Sequence, residues 1–341
     1  MDLSQIRRHR EQREADWLSP YATKAAESTG REVSEDPDDV RTCFQVDRDR
    51  ILHSKAFRRL KHKTQVFIAP EGDHYRTRLT HTLDVAQVAR TIGGALRLNE
   101  DLIEAIALGH DVGHTPFGHA GEYALDEAVD AHFQKTGTGP DGFYHHVQSL
   151  RVLQVIEPLN LTEETTLGIG GHSKGSKDLT DADGEVTSTL EAAVVRISDR
   201  IAYLNHDIDD ALRSKILPEL PAEFSVLGRT HAERIRTMME DVITHSVDSP
   251  AIRMSAPLRG VMNRLKDFLF ENVYYRYPLV TPEIDKAKAL VGELFWYYLG
   301  EGRLAEGFDG VQGSIDYVSG MTDRFAIETF RSLRVPLGFP T

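Results

Sequence analysis

An adjacent histidine and aspartate, His110 and Asp111, are the residues of this sequence best suited to chemistry. They follow an apolar run from Leu102 to Leu108 and are followed by Gly113, so the pair is predicted to close a helix. Neighbouring side chains point to different faces in a helix interior, whereas at a helix end both can turn towards one centre. Imidazole nitrogen and carboxylate oxygen suit the same divalent ions. The pair therefore indicates either a metal site or an ordinary helix end with two polar residues.

Two more potential metal ligands lie on other predicted helices. His81 stands near the start of a helix predicted over 80–98, and Asp199 lies within a helix predicted over 190–212. Two imidazoles and two carboxylates, with no thiolate, suit Mn²⁺, Mg²⁺, Fe²⁺, Co²⁺ or Zn²⁺. A divalent ion in such a site can activate water and offset the charge of a phosphate. These residues therefore predict a single divalent metal site.

A histidine and a glutamate follow the pair at a spacing suited to acid–base chemistry. His119 and Glu122 fall in a helix predicted over 117–133, where a separation of three places them one turn apart on one face. A carboxylate beside an imidazole fixes the orientation and tautomer of the ring, which suits general acid or base work. His114 lies close by in the sequence. The alternative is a group of surface or core histidines, and the proximity to the predicted ligands favours the catalytic interpretation.

The elements that must position these residues are predicted to be helices. Apolar residues recur at helical spacing, and no run alternates as a strand would. On the helix predicted over 190–212, a polar stripe of Asp199, Tyr203 and Asp207 runs beside the apolar stripe, as in a helix that lines a wet cavity or in any amphipathic helix. The sequence predicts an all-α protein with a charged arm at 1–40, a core at 41–215 and a C-terminal helical region at 216–341.

Composition narrows the possible classes of protein. The 341 residues carry 53 acids against 40 bases, a net charge of −13, which argues against a constitutive nucleic-acid coat protein. Cys43 is the only cysteine, so no intrachain disulfide can form. No window approaches the ~18 apolar residues that a membrane helix needs, and the first residues lack an apolar signal core. We therefore expect a cytoplasmic protein.

The spacing of His81, the His110–Asp111 pair and Asp199 resembles the H…HD…D signature of the HD-domain phosphohydrolases, a family of helical bundles. More narrowly, almost the whole chain resembles the deoxyguanosinetriphosphate triphosphohydrolase family of dNTP triphosphohydrolases. The HD signature alone indicates only a metal phosphohydrolase, and the block with His119 and Glu122 is far more specific. The similar blocks are residues 47–67, 78–85, 109–122, 145–152, 197–212 and 316–326.

The resemblance implies a metal ion and an acid–base pair. His119 and Glu122 match the family's residues that activate or position the attacking water. His114 matches a histidine that reaches the phosphates, or that protonates the leaving group instead. The implied ligands of one divalent ion, Mn²⁺ or Mg²⁺ or else Fe²⁺, Co²⁺ or Zn²⁺, are His81, His110, Asp111 and Asp199.

The resemblance also implies how the substrate is bound. Arg78 matches an arginine on the triphosphate, and His145 matches an active-site histidine. His146 stands where related sequences often carry asparagine, so the resemblance gives it no role. The residues that match groups in contact with the deoxyribose are Gln65, Tyr203 and Asp207.

The implied reaction is attack of water on the α-phosphorus of a dNTP, which gives a deoxynucleoside and inorganic triphosphate. The family also implies a homo-oligomer, either a dimer or a hexamer. The Gly-rich stretch Gly168–Glu185 is predicted to be a mobile loop beside the site, and its Lys174 and Lys177 are candidates for closing over the triphosphate. Nothing in the sequence selects a base or a metal.

Three other functions fit parts of the pattern. One is an HD-family phosphohydrolase that acts on another nucleotide, and the number of similar blocks argues against it. Another is a non-catalytic nucleotide sensor, against which the full ligand set and the His119–Glu122 pair argue. A third is nucleic-acid binding, which the net charge of −13 does not support and for which no array of aromatic and basic residues is present.

Overall fold

The computed structural model describes residues 3–65, 76–172, 178, 187–274, 281–300 and 303–334. These residues form α-helices with short 3₁₀ and π-helical turns, and the only β-structure among them is two isolated bridges. The predicted all-α class is confirmed. The α-helices are α1 Ser4–Trp17, α2 Cys43–His53, α3 Lys55–Arg59, α4 Arg78–Ala95, α5 Glu100–Gly109, α6 Gly118–Thr136, α7 His145–Arg151, α8 Glu163–Gly170, α9 Leu190–Arg213, α10 His231–Ser246, α11 Ala256–Leu269, α12 Thr281–Tyr298, α13 Gly310–Ser319 and α14 Asp323–Arg334.

The described residues group into two compact units that interleave along the chain. The first unit contains the described residues within 1–53, 81–110 and 158–277, and the second contains those within 54–80, 111–157 and 278–341. The sequential division into an arm at 1–40, a core at 41–215 and a C-terminal region at 216–341 stays a prediction. None of the helices in the described part of the chain is long and apolar enough to cross a membrane.

Helix α5 lies at the centre of the first unit. Asn99 caps its N-terminus by accepting hydrogen bonds from the backbone N–H groups of Asp101 and Leu102. Nearly every later residue of α5 is buried, because a helix that is apolar all round must be surrounded by other elements. It packs against α2, α8 and α9. A Cβ atom on Gly109 would lie 2.4 Å from Cδ1 of Ile169, so a larger residue where α5 ends would have to displace that side chain of α8.

Helix α9 supplies the longest wall of the first unit. Its N-terminus is capped by Thr189, whose side chain accepts from the N–H of Ala192. Val194, Ile201, Leu204 and Ile208 of the predicted apolar stripe are buried, and α9 packs against α5, α8, α10 and α11. Asp207, on the predicted polar stripe, is also buried. The long amphipathic helix predicted over 190–212 is therefore confirmed.

The second unit is built on α6 and α12, which pack together with α13 and α14. Its apolar core includes Leu125 and Val129 from α6, Phe295 from α12 and Val318 from α13. Gly137 ends α6 in the left-handed conformation, with φ of 67°, as glycine commonly does at a helix C-terminus.

The structure departs from the predicted elements at three places. Helix α8 was not predicted, because it is short and contains two glycines. The charged arm includes α1, which has too few apolar residues for a helical stripe to be visible. The spacing of apolar residues over 313–333 predicts a single helix, whereas the structure has two, α13 and α14, with a break after Ser319. Lys174 and Lys177 of the predicted loop lie outside the described residues.

Candidate active site

Three of the four predicted metal ligands meet in the first unit. His81 lies in the first turn of α4, His110 follows the last residue of α5, and Asp199 lies in the middle of α9. His81 Nε2 is 3.1 Å from Asp199 Oδ1, and His110 Nε2 is 3.9 Å from the same oxygen. The ligand atoms of all three residues lie within 4.8 Å of one another. Both histidines are buried, so the three helices bring the groups together in a largely dry environment.

His110 is held in the tautomer that a metal ligand needs. Its Nδ1 lies 2.6 Å from the carbonyl oxygen of Ala107. A carbonyl can only accept, so Nδ1 carries the hydrogen and the lone pair is on Nε2. This carbonyl is available because the last carbonyl groups of a helix have no partner within the helix. Nε2, which carries the lone pair, is the ring nitrogen on the side of Asp199, so His110 can coordinate a metal ion there.

Asp111, the fourth predicted ligand, belongs to the second unit, where it pairs with Arg78. Arg78 Nη1 donates to Asp111 Oδ2 at 2.6 Å, and both side chains are almost fully buried. The other oxygen, Oδ1, lies 3.4 Å from His114 Nε2. A buried guanidinium beside a buried carboxylate offsets its charge. Arg78, which was predicted to contact the triphosphate, is thus in direct contact with a predicted metal ligand.

Glu122 is the centre of the predicted acid–base group. Its Oε1 accepts from both Nδ1 and the backbone N–H of His145, at 2.6 and 3.0 Å, and its Oε2 lies 3.2 Å from His119 Nδ1. His119 is half exposed, whereas His145 is buried. The His119–Glu122 pair therefore has the predicted geometry. The shorter contact of Glu122 is with His145, which the sequence placed among the substrate-binding residues.

Two of the histidines around Glu122, His114 and His145, differ in the direction in which their pKa values are shifted. Burial, Arg78 and His145 together lower the pKa of His114 well below its usual value. Burial opposes a charge on His145, but the Glu122 carboxylate is strong enough to raise the pKa of that imidazole. Burial also opposes a charge on Glu122, yet contacts with His145 and His119 lower its pKa. The group therefore keeps an ionised carboxylate beside one histidine that favours a proton and another, His114, that favours neutrality.

A tight turn before α6 presents this group. Phe117 adopts a left-handed conformation, with φ of 62°, which is rare for a residue other than glycine. Its N–H donates to Asp323 Oδ1 at 2.9 Å, and the other carboxylate oxygen of Asp323 accepts from the N–H of Thr64 at 2.9 Å. Gly118 follows with φ of 57°, and a Cβ atom there would lie 2.5 Å from the carbonyl oxygen of Gln65. Asp323 thus holds the turn that leads to His119.

Comparison with known proteins identifies the family. Residues 78–204 match the HD domain, and residues 252–332 match the phosphohydrolase-associated domain. A deoxyguanosinetriphosphate triphosphohydrolase-like protein of Caldanaerobacter subterraneus subsp. tengcongensis is 50% identical, over 97% of this chain and 96% of its own. This chain belongs to that family. Proteins of the same name from Desulfatibacillum aliphaticivorans and Clostridium tetani are 48% and 44% identical and are covered over 98% of their lengths, with 97% and 98% of this chain.

Membership of the deoxyguanosinetriphosphate triphosphohydrolase-like family establishes the class of enzyme. As a member with an HD domain, the chain is a metal-dependent enzyme that hydrolyses phosphoester bonds. A solved structure of a hypothetical protein from Aquifex aeolicus is also similar, over 83% of this chain and 67% of its own. Its TM-score of 0.48 and 16% identity are too low to support an argument.

The side chains of the first unit fit a divalent ion. Two imidazole nitrogens and a carboxylate oxygen form a borderline donor set that suits mid-row ions. His110 presents an Nε2 lone pair, and Asp199 presents an oxygen close to both rings. Asp111 follows His110 directly in the chain and supplies the second carboxylate of the family's signature.

The residues predicted to read the sugar are placed in different units. Tyr203 and Asp207 lie one and two turns after Asp199 on α9, in the first unit. Burial raises the pKa of the Tyr203 hydroxyl well above its usual range, so this group stays protonated. Gln65 is buried in the second unit, where its backbone carbonyl oxygen lies 3.4 Å from Arg78 Nη2. His146 lies beside His145 on α7, with ring centroids 5.7 Å apart, and no role follows from its position.

Four residues with contacts to the candidate site were not predicted. Two are in the first unit: His206 touches His81, and Asp84 touches His206. The others are in the second unit: Asp323 holds Phe117, and Lys63 Nζ donates to the carbonyl oxygen of His114. The available signal was that all four lie within or beside blocks that resemble the family. From the sequence alone, a polar residue at any of these positions could equally be an ordinary surface residue.

Proposed function

We propose that this enzyme is a dNTP triphosphohydrolase, which converts a dNTP into a deoxynucleoside and inorganic triphosphate. The relatives that bear this name support the substrate class. The observation that carries the proposal is the Glu122 carboxylate between His119 and His145, at 3.2 and 2.6 Å. An HD metal site alone would indicate only a phosphohydrolase, whereas this acid–base group belongs to the more specific resemblance.

The metal would be held by His81, His110 and Asp199, with Asp111 as the fourth ligand on the strength of the sequence signature. When bound, a divalent ion supplies positive charge that offsets phosphate charge and makes a water easier to deprotonate. These imidazole and carboxylate donors suit Mn²⁺, Mg²⁺, Fe²⁺, Co²⁺ and Zn²⁺.

The residues of the acid–base group would move the proton of the attacking water. With Nδ1 of His119 directed to Glu122, the remaining nitrogen, Nε2, is the base. Glu122 then stabilises the imidazolium that forms, as a carboxylate does for a catalytic histidine. The water oxygen bonds to the α-phosphorus, and the bond from phosphorus to O5′ breaks. O5′ takes up a proton from solvent as it leaves and becomes the hydroxyl of the deoxynucleoside, while His119 returns the proton of the attacking water to solvent. The lowered pKa keeps His114 neutral. A neutral imidazole retains one N–H, which would donate a hydrogen bond to the phosphates.

Binding of the sugar and the phosphates would rest on the remaining predicted residues. Gln65 and Asp207 would bind the 3′-hydroxyl, while the ring of Tyr203 packed against C2′ would exclude a ribose. Arg78 would offset triphosphate charge while it holds Asp111. His145, with a raised pKa, would present an N–H donor to the phosphates.

A product assay tests the proposal. The full-length protein is incubated with each of the four dNTPs and with GTP, in Mg²⁺ or Mn²⁺, and the products are separated by anion exchange. Tripolyphosphate and a deoxynucleoside are expected, with GTP turned over much more slowly. Pyrophosphate, orthophosphate or a monophosphate as the product would instead indicate an HD-family hydrolase of another specificity.

A variant separates the enzyme from a nucleotide sensor. His119→Ala should lose dNTP turnover and keep its bound metal, because His119 is not one of the proposed ligands. Retention of full turnover would remove His119 from the proposed mechanism. Turnover that is absent in the unmodified protein as well would favour the sensor.

The proposal includes an assembly and a location. The family resemblance favours a homo-oligomer, either a dimer or a hexamer, and light scattering coupled to size exclusion measures this directly. A cytoplasmic location agrees with the substrate and with a single cysteine.

A further inference from the structure

A buried histidine outside the predicted site lies against one of the metal ligands. His206 on α9 is 1% exposed, and its Nδ1 is 3.3 Å from Nδ1 of His81. Its other nitrogen, Nε2, is 3.0 Å from Asp84 Oδ2. Asp84 lies three residues after His81 on α4, so the two occupy one face of that helix, one turn apart. His206 therefore bridges a carboxylate and a ligand that stand on the same helix.

Hydrogen bonding between the two rings has only two arrangements, because one Nδ1 must donate and the other accept. In the first, His81 Nδ1 donates, its lone pair is on Nε2, and His206 carries its hydrogen on Nε2 beside Asp84. In the second, His206 Nδ1 donates, and His81 carries its hydrogen on Nε2. That hydrogen would point to Asp199 Oδ1, 3.1 Å away, and no lone pair would remain for a cation.

Asp84 selects between these arrangements. The negative charge of an ionised carboxylate at 3.0 Å repels a lone pair and attracts an N–H group, so it favours hydrogen on the His206 nitrogen that faces it. Nδ1 of a neutral His206 must then accept from His81. The selection concerns which nitrogen of a neutral ring carries hydrogen and involves no change of charge. The Asp84 side chain is 49% exposed, so solvent weakens its influence relative to that of the buried His206.

The position of His81 in its helix explains why a side chain is needed. His110 stands at a helix C-terminus, where the Ala107 carbonyl is available to fix its tautomer. His81 stands in the first turn of α4, and a helix N-terminus offers N–H donors rather than free carbonyls. An acceptor for the Nδ1–H of His81 must therefore come from another element, and α9 supplies it.

We propose that His206 and Asp84 are positioning residues that set the tautomer of His81 for metal binding. The inference rests on the proposed metal centre of His81, His110 and Asp199. Groups that orient a metal-ligating histidine typically change the affinity for the metal 10–100-fold when they are removed.

The experiment measures metal binding by the full-length protein after chelator treatment. Mn²⁺ affinity is determined by titration calorimetry, and the absorption spectrum of the Co²⁺-loaded protein reports the ligand field. The variants are His206→Leu, which has no acceptor, and His206→Asn, whose amide oxygen can take the place of Nδ1. Asp84→Asn keeps the shape but can turn either a donor or an acceptor towards His206. His245→Asn, at a histidine on the exposed face of α10, is the matched control.

His206→Leu should weaken Mn²⁺ binding about 10–100-fold and alter the Co²⁺ spectrum, whereas His206→Asn should stay within about threefold of the unmodified protein. Asp84→Asn should fall between them, and His245→Asn should bind normally. Equal affinities for the Leu and Asn variants, whether normal or weakened, would overturn the role of the acceptor.

Two further arms keep the outcomes distinct. If His206→Leu does not fold, Asp84→Leu, which offers no acceptor at this half-exposed position, decides, and normal Mn²⁺ affinity there would overturn the inference. His81→Ala tests the centre itself. Normal Mn²⁺ binding by His81→Ala would refute the proposed centre, whereas lost binding there with normal binding in both His206 variants would refute only the positioning role.

Discussion

At the scale of single residues, Glu122 contacts both of the other members of the proposed acid–base group, His119 and His145. Glu122→Gln keeps the size of the side chain but removes the charge that supports both His145 and His119. We expect kcat to fall by about 10²–10⁴-fold with a smaller change in KM, because the charge matters most when a proton moves. Steady-state hydrolysis measures this. The matched control is Glu127→Gln, on an exposed face of the same helix, which should be unchanged. A Glu122→Gln enzyme with normal kcat would contradict the acid–base role.

A second residue gives a prediction about pH. Lys63 is buried, and burial together with Arg59 and Arg78 lowers its pKa from 10.5 to about 7. Between these values the unfolded chain binds more protons at this lysine than the folded chain does, so stability rises with pH. The stability that depends on a neutral Lys63 is fully present above pH 10.5 and is lost as the pH falls towards 7. The free energy of unfolding changes by at most about 5 kcal/mol over this pH range, at 1.36 kcal/mol for each pKa unit.

Denaturant unfolding at several pH values between 7 and 10 checks this shift. The free energy of unfolding should rise more steeply with pH for the unmodified protein than for Lys63→Gln. Lys61→Gln, at an exposed lysine two residues earlier, is the control and should keep the steeper slope. Identical slopes for the unmodified protein and Lys63→Gln would mean that the lysine titrates normally.

At the scale of elements, the start of α14 is tied to the turn that precedes α6. Asp323→Ala leaves the N–H groups of Thr64 and Phe117 without the acceptor that holds each at 2.9 Å. We expect a loss of about 2–3 kcal/mol in the free energy of unfolding, at roughly 1–1.5 kcal/mol for each hydrogen bond. A lower kcat is also expected, because the left-handed Phe117 sets the position of His119. Glu328→Ala, in an exposed ion pair on the same helix, should cost far less. Equal costs for the two variants would show that the Asp323 contacts do not stabilise the fold.

The helices show which features a sequence can predict. The apolar residues of 80–98, 101–108 and 190–212 predicted α4, α5 and α9, because α4 and α9 each bury an apolar face and α5 is apolar on nearly all sides. The positions of His81, His110 and Asp199 on them followed. The contact between Glu122 and His145 could not be read in the same way, since it joins two helices whose separation depends on packing. The turn at Phe117 was equally hidden, because it is imposed by Asp323 from 206 residues away along the chain.

At the scale of the whole molecule, one unit contains three proposed metal ligands on three helices that are distant in sequence. An ion that binds the folded chain and not the unfolded chain stabilises it by an amount that grows with concentration, about 2.7 kcal/mol at one hundred times Kd. We expect Mn²⁺ to raise the melting temperature and EDTA to lower it. Hydrogen exchange should slow most on α4, α5 and α9, because an ion that joins them opposes their separate opening. Asp199→Ala should remove both effects, while Asp248→Ala, at an exposed aspartate of the same unit, should retain them. Slower exchange that is confined to other helices would place the ion elsewhere in the molecule.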